Sequence, residues 1–233
     1  MNIKVSNLSK EYKGKEVLYI EELNFKEGYV YALMGLNGSG KTTLLQCVSG
    51  IEAFTRGTVL YDNISSCEFD IKDISIMLQS PYLFNSSVIE NIIIGLKFRK
   101  LSKEIIQERI KYYVPFFNIQ DLLGKNTREL SGGEQAKVAL LRTAILETTV
   151  TFLDEPTASM DIESTLIAEK LIKTIAEGKR SVILVTHDLM QAERVADFVI
   201  FLDKGRIIEQ GEKNKVLKFP EHKLLSRILK RGD

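Results

Sequence analysis

Gly35-Leu36-Asn37-Gly38-Ser39-Gly40-Lys41-Thr42 decides how this chain is read. The string fits G-x-x-x-x-G-K-[ST], and its flanks fit as well. The apolar run Tyr29 to Met34 before it reads as a buried parallel strand, and Thr43-Leu44-Leu45-Gln46-Cys47-Val48 behind it reads as the start of a helix. Each residue type has a chemical reason. Glycines let the backbone approach an anion and adopt φ > 0, so that successive N–H groups converge on phosphate oxygens. The dipole of the following helix adds partial positive charge at the same point. Lys41 is expected to reach the β- and γ-phosphates of a nucleotide, and the Thr42 hydroxyl to ligate Mg2+. A glycine turn with no ligand is the plainer alternative, and the strand-and-helix setting argues against it.

The rest of the composition sets bounds. A chain of 233 residues holds one large domain, or one domain with an inserted lobe. Lys plus Arg number 32 against 31 for Asp plus Glu, a balance that offers no electrostatic case for nucleic acid or an anionic membrane. Two cysteines, Cys47 and Cys67, make no metal or disulfide framework and suit a reducing cytoplasm; Cys47 is expected to be a small buried thiol. No apolar run approaches the roughly 18 residues of a membrane span, and the N-terminus alternates like a strand rather than a signal peptide. The chain is therefore expected to be cytoplasmic, and to work at a membrane only through another polypeptide.

Strand-like runs occupy Ile3 to Tyr12, Glu16 to Phe25, Gly57 to Tyr61 and Ile74 to Leu78. From Ser87 to Phe98 and from Ser102 to Phe117 the pattern becomes helical and mixed in charge, with no strand candidate. Strand and helix then alternate again: strand Val150 to Leu153, helix Ile162 to Glu177, strand Ser181 to Thr186 and helix Leu189 to Ala196. A strand pair, Phe198 to Leu202 and Arg206 to Glu209, and short helices close the chain. The expected fold is α/β: a P-loop core with a mostly parallel sheet flanked by helices, an antiparallel N-terminal β subdomain and an inserted helical subdomain. Residues 1–233 read as one domain, with 80–148 as the helical insert.

Leu130-Ser131-Gly132-Gly133-Glu134-Gln135 is the second informative string. Ser-x-x-Glu is a capping box, and two glycines in the first turn bare the backbone of a helix N-terminus that can face an anion. An ordinary cap would not need them, since each glycine weakens a helix by roughly 1 kcal/mol.

Together these strings resemble the ATP-binding-cassette (ABC) ATPases. The P-loop, LSGGE, and the strand Val150-Thr151-Phe152-Leu153-Asp154-Glu155 followed by Pro156 stand in that family's order. Ser159-Met160-Asp161 is similar to its D-loop, His187 to its switch histidine, Gln79 to its Q-loop glutamine and Tyr12 to its adenine-stacking aromatic. The resemblance covers essentially the whole chain. It implies ATP and Mg2+ as ligands, with Gly35, Leu36, Asn37, Gly38, Ser39, Gly40, Lys41, Thr42 and Thr43 cradling phosphates and Tyr12 holding the base. Thr42, Gln79 and Asp154 would serve the metal. Glu155 would act on the attacking water, with His187 and Gln79 orienting it. Ser131, Gly132, Gly133, Glu134 and Asp161 would meet ATP held by a second copy in a head-to-tail homodimer, closing on ATP and opening on hydrolysis. His222 is expected to be ordinary surface. Ala136 and Lys137 depart from the family's usual polar or basic residue and arginine.

Within the family the chain looks importer-like, and most like the compact type serving oxyanions such as tungstate, molybdate or phosphate; an exporter subunit or a non-transport ATPase is the alternative. The expected partners are a transmembrane permease and an extracytoplasmic solute-binding protein, with no nucleic acid. The exposed loop Pro81-Tyr82-Leu83-Phe84 is expected to present two rings to the permease.

Overall fold

The computed structural model describes residues 1–66 and 68–230; Cys67 lies outside them. In chain order the strands are β1 (Ile3–Tyr12), β2 (Lys15–Phe25), β3 (Val30–Gly35), β4 (Arg56–Tyr61), β5 (Ile64–Ser65), β6 (Ile74–Met77), β7 (Val150–Asp154), β8 (Ser181–Val185), β9 (Phe198–Asp203) and β10 (Arg206–Glu212). The helices are α1 (Lys41–Val48), α2 (Val88–Phe98), α3 (Lys103–Tyr113), α4 (Gly132–Ala144), α5 (Ile162–Ile175), α6 (Leu189–Val195), α7 (Lys213–Lys218) and α8 (Lys223–Lys230).

Two sheets result. The larger has the order β10-β9-β3-β8-β7-β6 and is parallel except for the β9–β10 pair. Every residue of β3, β7 and β8 is buried, as strands covered on both faces must be, and this is why they read as unbroken apolar runs. The smaller sheet, β2-β1-β4-β5, is antiparallel. Its inner residues Val5, Leu8, Ile20 and Phe25 pack in one cluster with α1 (Leu44, Leu45, Val48) and one face of the large sheet (Leu33, Phe152, Ile183). The opposite face of the large sheet, through Leu153, Val182 and Leu184, packs with α2, α4 and α5 in a second cluster.

Segment 80–148 carries α2, α3, α4 and three short 3-10 turns with no strand, and most of its buried apolar residues belong to that second cluster rather than to a separate core. The helix expected to reach Phe117 ends at Tyr113. Pro115 lacks an N–H and turns the chain into a 3-10 segment, Val114–Phe117. β10 runs three residues beyond its expected end because it keeps pairing with β9 as far as Glu212–Phe198. Cys47 is buried, and burial pushes its thiol up to about 11. Among the described residues, no helix is long and apolar enough to cross a membrane.

This topology brings the chemistry to one edge. The C-terminal ends of the parallel strands β3, β7 and β8 carry Gly35, Asp154 and the approach to His187, and Gln79 stands just beyond β6. The layered packing predicts a specific cost. Phe152→Ala, which empties a fully buried site against α1 and the small sheet, should cost about 3–5 kcal/mol, read as a lower urea midpoint with an unchanged slope.

Candidate active site

The P-loop bends back on itself directly after β3. A Cβ on Gly35 would lie 2.2 Å from the Leu202 carbonyl oxygen, and its φ is +145°, so only glycine fits between β3 and β9. Ser39 N–H donates to the Leu36 carbonyl at 3.1 Å, and the Ser39 carbonyl accepts from Gly205 N–H at 2.9 Å. Lys41, at the first position of α1, donates its ammonium to the carbonyls of Gly35 (2.9 Å) and Leu36 (3.1 Å). Burial lowers its pKa, while Glu155 and Asp154 act in the opposite direction.

Two buried groups in this neighbourhood have no hydrogen-bond partner: the Ser39 hydroxyl, and both oxygens of Asp154, a residue that is 1% exposed. Burial drives the Asp154 pKa up and Glu155 adds to the rise; Thr42 and Lys41 oppose it without a hydrogen bond of ordinary geometry at either oxygen. A native chain rarely leaves such groups unpaired unless a ligand or an ion completes them. The donors fit Mg2+ and a polyphosphate: one carboxylate (Asp154), one hydroxyl (Thr42), one amide (Gln79) and a glycine-rich cradle. Among the described residues there is no group of three His, Cys, Asp or Glu that could hold a metal ion. Phosphate and water oxygens would therefore complete the Mg2+ shell.

Glu155 is held in a left-handed conformation (φ +47°), uncommon for a non-glycine residue. Its Oε2 accepts from Gln79 Nε2 at 3.3 Å, and its Oε1 lies 3.1 Å from His187 Nδ1. The structure thus joins Gln79, Glu155 and His187, residues 76 and 32 positions apart in the chain. They line a cleft of about 760 Å³ with Gly35, Leu36, Asn37, Gly38, Lys41 and Thr42. The sequence reading missed the cleft's apolar end, formed by Met34, Leu189, Phe201 and Ile228.

Other expected site residues stand outside this cleft. Tyr12 lies beside Thr43 on the flank of α1, with its ring 43% exposed. Ser131 and Glu134 form the capping box of α4: the Ser131 hydroxyl donates to Glu134 Oε2 at 2.7 Å, and the Glu134 N–H donates back to it at 3.4 Å. Asp161 caps α5 by accepting from Ser164 N–H at 2.7 Å, a bond that holds its carboxyl below the usual range. The two signature glycines differ. Gly132 faces open space, but a Cβ on Gly133 would come within 2.9 Å of the Ser159 carbonyl oxygen. Gly133 therefore has a packing reason within its own chain, while Ser131 and Gly132 before it are exposed. A second, smaller cleft of about 200 Å³ is shared by Gly132, Gln79, Glu155 and Ser159.

Sequence reading also missed the ties behind the site. Buried Gln191 donates to the Thr157 hydroxyl at 2.9 Å. Arg194 makes two 2.7 Å hydrogen bonds to buried Glu169. Both belong to α6, where a polar residue on a helix looks like solvent contact until its burial is known. His222 is not plain surface: its Nδ1 accepts from Leu224 N–H and its carbonyl from Ser226 N–H, so it caps α8.

The ABC transporter family model matches residues 20–158. The chain is 39% identical over 210 residues to a tungstate uptake system ATP-binding protein of Peptoclostridium acidaminophilum, covering 90% of this chain and 98% of that one. The chain belongs to the ABC transporter family. It is an ABC ATPase, binding ATP with Mg2+. It is also 33% identical to a molybdate/tungstate import ATP-binding protein of Methanocaldococcus jannaschii, covering 97% of this chain and 76% of that one. Among solved structures, a dimeric ATP-binding cassette in a post-hydrolysis state bound to ADP and Pi superposes with a TM-score of 0.80 at 27% identity, covering 91% of this chain and 98% of that one.

The buried Asp154 of this ABC ATPase sets a testable trade. Its pKa is raised on folding, so the folded chain holds the proton more tightly than the unfolded one and loses stability as pH climbs through the carboxylate range. Asp154→Asn should raise the ligand-free Tm at pH 8 by about 2–4 °C, or ~1 kcal/mol for a chain of this size. The gain should shrink as pH falls into the carboxylate range, and MgATP should no longer shift the Tm. A lower Tm at pH 8 would refute the account.

Proposed function

We propose that this ATPase powers uptake of an oxyanion of the tungstate type through a membrane permease, on whose cytoplasmic face it sits. The observation that carries the solute class is its 39% identity to a tungstate uptake ATP-binding protein across 98% of that protein's length. A solute-binding protein outside the membrane would deliver the anion.

The residues divide the work as follows. The P-loop from Gly35 to Thr43 cradles the phosphates, and Lys41 turns from its own loop's carbonyls to the β/γ oxygens. Tyr12 stacks on adenine. Thr42, Gln79 and Asp154 hold Mg2+, which when bound draws charge from the phosphoryl group being transferred. Glu155 takes the proton of the attacking water or aims it, with His187 and Gln79 fixing the carboxylate. Two copies pair head to tail, so that Ser131, Gly132, Gly133, Glu134 and Asp161 of one copy close over ATP on the other.

The helical segment 80–148 links this chemistry to the permease. Gln79 touches Glu155, and only three residues on, Tyr82 begins an exposed ring pair. Tyr82 is 75% and Phe84 43% exposed, with centroids 5.8 Å apart and the rings nearly perpendicular, edge to face. The loop beneath them is tied down by hydrogen bonds: buried Asn91 bonds both the N–H and the carbonyl of Phe84, and Arg142 of α4 donates to the Tyr82 carbonyl at 2.8 Å. Rings held out on a tied loop suit a short helix of the permease.

Deleting the gene should abolish tungstate accumulation while amino-acid uptake continues. The parent gene should restore it and Glu155→Gln should not. Undiminished tungstate uptake in the deletion strain would end the solute assignment. Replacing Tyr82 and Phe84 together with Ser should keep MgATP affinity within about twofold but weaken co-purification with the permease at least tenfold, about 1.4 kcal/mol. Unchanged assembly would move the docking surface elsewhere.

A further inference from the structure

The Tyr12 ring is not a loose aromatic at a strand end. Its phenol donates to Glu52 Oε1 at 2.6 Å. Lys10 Nζ lies 2.9 Å from the same oxygen, donates to the Ala53 carbonyl at 2.7 Å, and stands 4.8 Å over the ring centroid. Glu52 is tied to α1 in turn, its N–H donating to the Gln46 carbonyl at 3.1 Å. The Lys10 side chain is only 13% exposed, whereas Tyr12 is 43% exposed. The ammonium therefore covers one face of a ring that is otherwise partly open to solvent. The Tyr12 and Lys10 hydrogen bonds hold the Glu52 carboxyl below its usual range, and Glu52 pushes the Tyr12 phenol up to about 12.

We propose that Glu52 and Lys10 are positioning residues for the nucleobase, clamping the Tyr12 ring so that one aromatic face is preset against adenine. The inference rests on the reading of Tyr12 given above. Stacking a base on an aromatic ring contributes only if the ring holds its angle, and an unclamped tyrosine would lose rotamer freedom each time it bound. Glu52 fixes the phenol end and Lys10 one face, by a hydrogen bond and a cation–π contact respectively. The clamp runs through Glu52 into α1, whose first turn carries Lys41 and Thr42, so the base and phosphate subsites share one rigid support.

The test compares a ligand that has a base with one that has none. MgATP and magnesium tripolyphosphate are titrated calorimetrically into the full chain and into Tyr12→Ser, Glu52→Ala, Glu52→Gln and Lys10→Met. Glu52→Ala and Lys10→Met should weaken MgATP about fivefold, the low end of base–aromatic stacking, and leave tripolyphosphate unchanged. Glu52→Gln, which keeps an acceptor for the phenol, should recover most of the loss. If Glu52→Ala weakens both ligands alike, Glu52 supports the fold or the P-loop and the proposal is overturned. If Tyr12→Ser weakens MgATP while Glu52→Ala and Lys10→Met do not, the clamp is overturned and the Tyr12 reading stands. If Tyr12→Ser changes nothing, both fall. Should Glu52→Ala fail to fold, Lys10→Met alone decides, because it leaves the phenol hydrogen bond in place.

Discussion

A buried carboxylate whose two oxygens have no hydrogen-bond partner of ordinary geometry is the constraint on which the rest of this molecule depends. Asp154 ends a strand whose every residue is buried, and neither of its oxygens has a partner. Left alone, such a group is unfavourable by several kcal/mol or takes up a proton. The sheet tolerates it because β7 lies between β6 and β8, with Leu153 and Phe152 anchored in the clusters on its two faces. The free energy that holds the charge in place comes from ordinary apolar burial remote from it. A divalent ion bound here would meet a carboxylate already stripped of water, beside the lysine and threonine of α1.

The next residue carries the second strain. Glu155 adopts φ +47° and so turns its carboxylate away from the direction β7 would dictate, toward Gln79 and His187. The bent loop persists because it is tied on several sides. Its N–H donates to the Val185 carbonyl, Ala158 N–H returns to the Glu155 carbonyl, and Gln191 grips Thr157. The Arg194–Glu169 pair then locks α6 to α5, so His187 and Asp161, which lead into those helices, keep one spacing. Glu169 is buried and Arg194 partly exposed. A pair of that kind is a weak source of net stability, but it does define a single register between two helices.

How much of this could be read beforehand follows from what each signal consists of. The P-loop, the LSGGE cap and the Asp154-Glu155 pair are local strings whose residue types are dictated by local chemistry, and the strands read well because burial on both faces leaves unbroken apolar runs. The antiparallel sheet was legible from alternation in β1 and β2. Tertiary facts were not. Nothing local marks Gln191 as buried or Glu52 as the partner of Tyr12, 40 residues away. His222 looked like surface because a cap that uses its own ring nitrogen and carbonyl has no spacing signature. Gly133 was read as bare backbone for an anion, and the approach of the Ser159 carbonyl from another loop adds a packing reason for glycine that no local signal carries.

That last point bears on how two copies would close. A start of α4 packed on the D-loop of its own chain, with Ser131 and Glu134 satisfying each other, needs no reordering before it meets a partner's nucleotide. The same small cleft gathers Gly132, Gln79, Glu155 and Ser159, so signature helix, Q-loop and catalytic loop already share one wall within a single chain. The three segments meet there while Gln79, Gly132 and Ser159 stay exposed, so it is the segments rather than single side chains that are joined. Nucleotide closure on this scaffold is therefore expected as a movement of whole segments, with α4 carrying Tyr82 along through Arg142. A displacement at Gln79 would have only Ser80 and Pro81 to cross before the exposed ring pair. The cleft at the P-loop and the exposed Tyr82–Phe84 pair are thus joined in the chain through Gln79, which bonds Glu155 and stands three residues before Tyr82.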